Sequence, residues 1–206
     1  MPFFMMYRHP GDEPGFPVFF DRQLDRESAG SCIPEGTAGE CLTNFSAQVL
    51  TFRCKHKWLS FDFDNASGAE YFFSQRLWGA CKSLHPAENK VKLVRFVTMG
   101  SQPAAESEYL VVRFPSALDA VDTQRSVIVP SEQHKFVKVT RHLALDKSKV
   151  GELDLFRIRN MTLGSLLFCS ERFKSVAMDA GAKLQFIAED EAAEVYLDRI
   201  NPLSSQ

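Results

Sequence analysis

Short runs that alternate apolar and polar residues recur along this chain, and many are built on phenylalanine. Ser60-Phe61-Asp62-Phe63-Asp64 has a period of two, the spacing of a strand with one buried face. Residues 49–54, 92–97, 109–114 and 135–139 are rich in β-branched or aromatic residues and read as further strands. The chain holds 18 Phe against 4 Tyr and 2 Trp. Bulky apolar side chains are mostly buried, so this excess reads as an aromatic-packed sheet core rather than a binding surface.

Two helices are expected. Residues 70–84 carry Phe73, Leu77, Trp78, Cys81 and Leu84 near helical spacing, with Asn65, Ser67 and Gly68 as candidate caps and His85-Pro86 as the stop. The second begins at Ser170 and presents Phe173, Val176, Ala177 and Ala180 on one face. Glu171 suits its first turn and Gly181 its end. Strands are expected at 153–159, 163–169 and 183–188. Strand runs outnumber helices and no regular strand–helix alternation occurs. The fold class is therefore α+β, a mixed, mostly antiparallel sheet with a few flanking helices. Residues 25–44 and 99–107 read as loops. The second is the better boundary, separating a β-rich region with one helix (1–100) from an α+β region (108–206), unless both share one continuous core. No internal repeat is visible.

Composition narrows the function. The net charge of −2 gives no electrostatic case for nucleic-acid binding by the whole chain. The apolar start is broken by Arg8, His9 and prolines and does not read as a signal peptide. No apolar stretch approaches the ~20 residues of a membrane span. These features place the chain in the cytoplasm, with no membrane partner. Five cysteines (Cys32, Cys41, Cys54, Cys81, Cys169) at wide spacings fit buried thiols in a reducing compartment.

Sequence signatures of phosphate loops, dinucleotide sites, nucleophile elbows, zinc hydrolases and deaminases are missing. Cys54-x-His56 is the one close Cys/His pair, and nothing at finger-like spacing supplies further metal ligands. Asp62 and Asp64 share a strand face, where carboxylates can do acid–base work, although alternating Phe and Asp more simply mark a sheet with one wet face. Asp119 and Asp122 read as a solvated turn. The sharper feature is acidic. From Phe186 to the end there are five acids and one base, concentrated in Glu189, Asp190, Glu191 and Glu194. The plain reading is the solvated start of a helix. The functional reading is a patch that docks a basic partner.

Residues 109–188 carry a pattern of Leu118-Asp119-Ala120-Val121-Asp122, then Asp154-Leu155-Phe156-Arg157-Ile158-Arg159, then Leu167-Phe168-Cys169-Ser170-Glu171-Arg172-Phe173-Lys174. It resembles the eleventh class of polymorphic-toxin immunity proteins, a bacterial family first described as a domain of unknown function. The Ser-Glu-Arg-Phe helix start is its most specific part. The link Ala180-Gly181-Ala182 is shorter than the family pattern, and the first 100 residues carry no resemblance. The resemblance implies a non-catalytic intracellular protein without a cofactor. It would bind and neutralise a cognate toxin effector, delivered by a secretion system such as type VI or by contact. For a nuclease toxin, the acidic cluster Glu189 to Glu194 would mimic nucleic acid. Two other readings stay open at this point. One is a hydrolase-like enzyme with a site assembled from Cys169, His134, Asp62 and Asp64. The other is a non-inhibitory adaptor of a secretion system.

Overall fold

A computed structural model of the chain describes residues 2–9, 18–20, 49–54, 59–67, 69–98, 100–105, 107–130, 138–160 and 162–200. The expected 25–44 loop, most of the 135–139 strand, His56 and His134 lie outside them. The fold is α+β. Strands β1 (Phe3–Arg8), β2 (Val18–Phe20), β3 (Val49–Cys54), β4 (Phe63–Ser67) and β5 (Glu70–Ser74) precede helix α1 (Gln75–Ala80). Then come β6 (Lys90–Thr98), β7 (Tyr109–Arg113), β8 (Val127–Pro130), β9 (Lys138–His142), α2 (Lys147–Val150), β10 (Leu155–Arg157) and β11 (Leu167–Ser170). Helix α3 (Glu171–Asp179), β12 (Leu184–Ala188), α4 (Ala192–Val195) and a π turn at Tyr196–Ile200 follow.

The strands form a six-stranded sheet in the order β2-β3-β6-β7-β5-β4, a four-stranded sheet in the order β10-β11-β1-β12, and the ribbon β8-β9. All described pairs are antiparallel except β3 with β6. The expected boundary near residues 100–108 falls inside one sheet, as the connection between neighbours β6 and β7. Ala104 in that connection is fully buried and its carbonyl accepts the Leu59 N–H at 2.7 Å. Strand β1, from the start of the chain, sits between two C-terminal strands.

Among the phenylalanines whose side chains are described, twelve are buried and Phe186 is half-buried, so they build cores. The larger core joins both sheets. A second core on the other side of the six-stranded sheet packs Phe52, Phe61, Phe72, Phe96 and Tyr109. Phe61 stacks on Tyr109 at 4.4 Å between ring centroids, close enough for the ring quadrupoles to add to the area buried.

One expected helix is corrected. Residues 70–74 are a strand, and α1 begins only at Gln75, capped by Ser74 rather than by Asn65, Ser67 or Gly68. Strand β5 is buried on both faces, with Tyr71 and Phe73 in the larger core and Phe72 in the smaller. A strand between two cores loses its alternation and reads as a continuous apolar run, which periodicity cannot separate from a helix. Helix α3 stands as expected. Ser170 Oγ accepts the Phe173 N–H at 3.2 Å, and Gly181 closes the helix at φ +66°. There the N–H groups of Gly181 and Ala182 bind the carbonyls of Met178 and Ala177, the paired bonds of a left-handed helix stop.

The expected wet face for Asp62 and Asp64 is also corrected. Both are buried, at 5% and 9% exposure. Asp62 precedes β4 and accepts from Ser74 Oγ at 2.6 Å, from Arg76 Nη2 at 2.7 Å and from the Lys183 N–H at 2.8 Å. Asp154, which precedes β10, repeats this arrangement. It accepts from Ser170 Oγ at 2.5 Å, from Arg172 through Nε at 3.0 Å and through Nη2, and from the His85 N–H at 2.8 Å. In each case the aspartate's carbonyl also accepts the cap serine's N–H.

These two clusters mark a structural repeat. Read inward from β4, the six-stranded sheet runs β4-β5-β7-β6, and the other runs β10-β11-β1-β12, antiparallel throughout. In both, a helix joins the second strand to the fourth. The repeat hides in sequence because β1 supplies the third strand of the second unit from the other end of the chain. The grip is reciprocal. Asp62 of the first unit holds Lys183, after the second unit's helix, and Asp154 holds His85, after the first unit's helix.

Burial alone would raise the Asp154 carboxyl; the Arg172 guanidinium, the His85 N–H and the Ser170 hydroxyl outweigh it and hold it below the ordinary carboxylate range. Its contribution to stability is therefore present above the ordinary aspartate value near pH 4 and is lost as pH falls through the lowered one. Asp154→Asn should cost about 2 kcal/mol at pH 7, the scale of a buried network left incomplete. The gap should narrow at pH well below about 4, as the wild-type carboxylate also takes up its proton. Urea unfolding at both pH values checks this, and a gap independent of pH contradicts it.

Candidate partner-binding face

The acidic cluster begins where β12 ends. Glu189 donates its backbone N–H to the Phe3 carbonyl at 3.1 Å, which continues the β1–β12 ladder by one residue. The chain then turns, and α4 starts at Ala192. Ala192 and Ala193 are fully buried and anchor this helix in the larger core. That anchoring turns Asp190, Glu191 and Glu194 outward, and all three are exposed. Asp198, on the π turn that follows α4, is exposed as well. Of the four residues singled out in sequence, the structure therefore brings three to one surface. Asp198 is the fifth acid in the stretch from Phe186 onward.

Glu189 does not belong to that open surface. It is half-buried, and its Oε2 has no hydrogen-bond partner among the described residues. It lines a groove of about 500 Å³ together with Arg125, His142 and Lys147. Arg125 is itself tied to Asp122 at 2.5 Å and to the Leu145 carbonyl at 2.9 Å. Burial pushes the Glu189 carboxyl above its ordinary range; Lys147 and Arg125 pull it back only in part, and the charge of Asp190 adds to the rise. The basic neighbours sit more than 40 residues away in sequence, so no local pattern could have announced them. A second groove of about 420 Å³ adjoins this one, sharing Phe3 and Lys147 and reaching Asp154 and Arg172.

Of the alternative catalytic residues, His134 lies outside the described residues, and Cys169, Asp62 and Asp64 are all buried. Cys169 is fully buried in β11, where burial holds its thiol well above the ordinary value, and Cys81, also buried, is pushed up to about 12. High thiol values disfavour the thiolate that a nucleophile needs. Asp62 is engaged by Ser74, Arg76 and Lys183, and Asp64 Oδ1 accepts the Asn65 N–H at 2.8 Å. Cys81 and Cys169 match the expected buried thiols; Cys32, Cys41 and the Cys54 side chain lie outside the described residues. Among the described residues no three His, Cys, Asp or Glu side chains converge as metal ligands, and no helix is long and apolar enough to cross a membrane.

A family model described as "Immunity protein family (Imm11)" matches residues 20–188. This match reaches far beyond the 109–188 segment that carries the resemblance in sequence, and it takes in every strand of both sheets except β1 and most of β2. No curated protein matches the chain.

Glu189 gives a test of the electrostatics on this face. With its folded value raised, the stability of the neutral form is complete below the ordinary glutamate value near pH 4.3 and is lost as pH rises through the folded value. Glu189→Gln should therefore melt at a higher temperature than wild type at pH 7, with the difference vanishing by about pH 4. Thermal melts across that range check it, and a variant less stable at pH 7 contradicts it.

Proposed function

The chain belongs to the immunity protein family Imm11, and from that premise we propose that it neutralises a cognate toxin effector by direct contact, without catalysis or a cofactor. The contact surface is the acidic face of Asp190, Glu191, Glu194 and Asp198. One observation carries this assignment: the exposed acids follow one strand end and lie on and around a short helix anchored by two fully buried alanines. A fixed array of like charge steers an oppositely charged partner and sets its register. The toxin it fits is one with a basic face, such as a nuclease whose active-site cleft binds phosphates. The site of action is the cytoplasm of the producing cell, where the toxin would otherwise act on its maker and its kin.

Co-purification from the producing bacterium under mild lysis tests the reading, with the captured protein then expressed alone and beside this chain. The expected partner is stoichiometric, toxic alone and harmless in company. The triple variant Asp190→Lys, Glu191→Lys, Glu194→Lys should raise the Kd for that toxin at least ~10-fold, because charge pairs broken at an interface cost about 2 kcal/mol or more. The on-rate of the wild type should fall with added salt. A partner that is harmless alone, or an unchanged Kd in the folded variant, contradicts the proposal.

A further inference from the structure

The structural repeat points to where the toxin's backbone would lie. In the first unit β6 is the fourth strand, and its outer edge carries β3 in parallel alignment over six residue pairs, Val49 with Leu93 through Cys54 with Thr98. In the second unit the counterpart of β6 is β12. Among the described strands β12 pairs with β1 alone.

The register fixes which backbone groups face away from β1. Glu189 bonds Phe3 across the ladder, and bonded pairs alternate in an antiparallel ladder, so Ile187 with Met5 and Gln185 with Tyr7 are the other bonded pairs. The N–H and carbonyl groups of Leu184, Phe186 and Ala188 therefore point to the outer edge. Of these, the Ala188 carbonyl accepts the Glu191 N–H at 3.1 Å. Leu184 and Phe186 have no backbone partner on that side among the described residues. An open strand edge is a template for one more strand, and strand addition is a common way for a sheet to take up an extended segment. The charge beside the edge selects the kind of segment. Asp190, Glu191 and Glu194 follow Ala188 directly, so a basic segment would gain both ladder hydrogen bonds and ion pairs.

We infer that a basic extended segment of the toxin adds to the outer edge of β12, in the place that β3 takes on β6. This rests on the toxin-binding reading above. The acidic face then steers the encounter, and the β12 backbone holds the bound state.

Ala188→Pro removes an outward N–H while leaving the Ile187 and Glu189 bonds to β1 in place, and proline is tolerated on an edge strand. The probe is the toxin recovered by co-purification. In the folded variant its Kd should rise at least ~10-fold. Amide exchange on the wild-type chain supplies a second measurement should the variant fail to fold. Alone, the Phe186 and Ala188 amides should exchange fast beside a protected Ile187, and toxin should slow both at least ~10-fold. Unchanged affinity in the folded variant, or no slowing at Phe186, overturns the inference. So does a Phe186 amide already protected in the free chain, which would mean that the chain covers its own edge. If charge reversal weakens binding while Phe186 is unaffected, the edge inference falls alone and the proposed function stands. If no toxin is captured, both fall.

Discussion

The carboxylate of Asp62 sits at the start of one four-strand unit and binds the backbone that follows the helix of the other; Asp154 returns the same grip in the opposite direction. Each aspartate also takes a hydroxyl hydrogen from the serine that caps its own helix and an arginine two residues further on. Arg76 extends the contact by donating to the Ala180 and Gly181 carbonyls, both at 3.2 Å, where α3 ends. A buried carboxylate is tolerable only when its lone pairs are filled, and here the filling groups come from both units. The same bonds that satisfy the charge therefore fix how the two sheets meet.

The proposed binding face inherits its geometry from this arrangement. Lys183, held by Asp62, is the residue before β12. The strand then runs along β1 and delivers the chain to Glu189, the turn and α4. The acids are thus displayed by a strand pinned at one end and a helix buried at the other. This fits a protein whose task is recognition, where a rigid surface loses little freedom on binding.

Local codes were legible in the sequence and long-range ones were not. Ser170, Glu171 and Gly181 announce α3 because capping chemistry acts within a few residues. The acidic cluster stands out by composition alone. Strand β5 was unreadable because Tyr71, Phe72 and Phe73 face two cores and leave no alternation. The surroundings of Glu189, with Lys147 and Arg125 lining the same groove, come from elements far away in sequence. The repeat escaped notice for a topological reason: β1 completes the second unit from the far end of the chain, and the shared residues reduce to an aspartate and a Ser-x-Arg pair. The family resemblance was likewise visible where motifs are compact, while the match begins at residue 20.

The central physical claim is that the two units stand or fall together through the reciprocal aspartates. The most direct measurement is the unfolding of Asp62→Asn followed by two signals. Trp78, in α1 and packed on Phe73 of β5, reports the first unit by its fluorescence in a Trp58→Phe background. Hydrogen exchange of β11 and α3 amides reports the second. Loss of the shared grip should move both signals to lower denaturant by the same amount, in one coincident transition. A second unit that unfolds where it does in wild type, while the first alone shifts, would contradict the account.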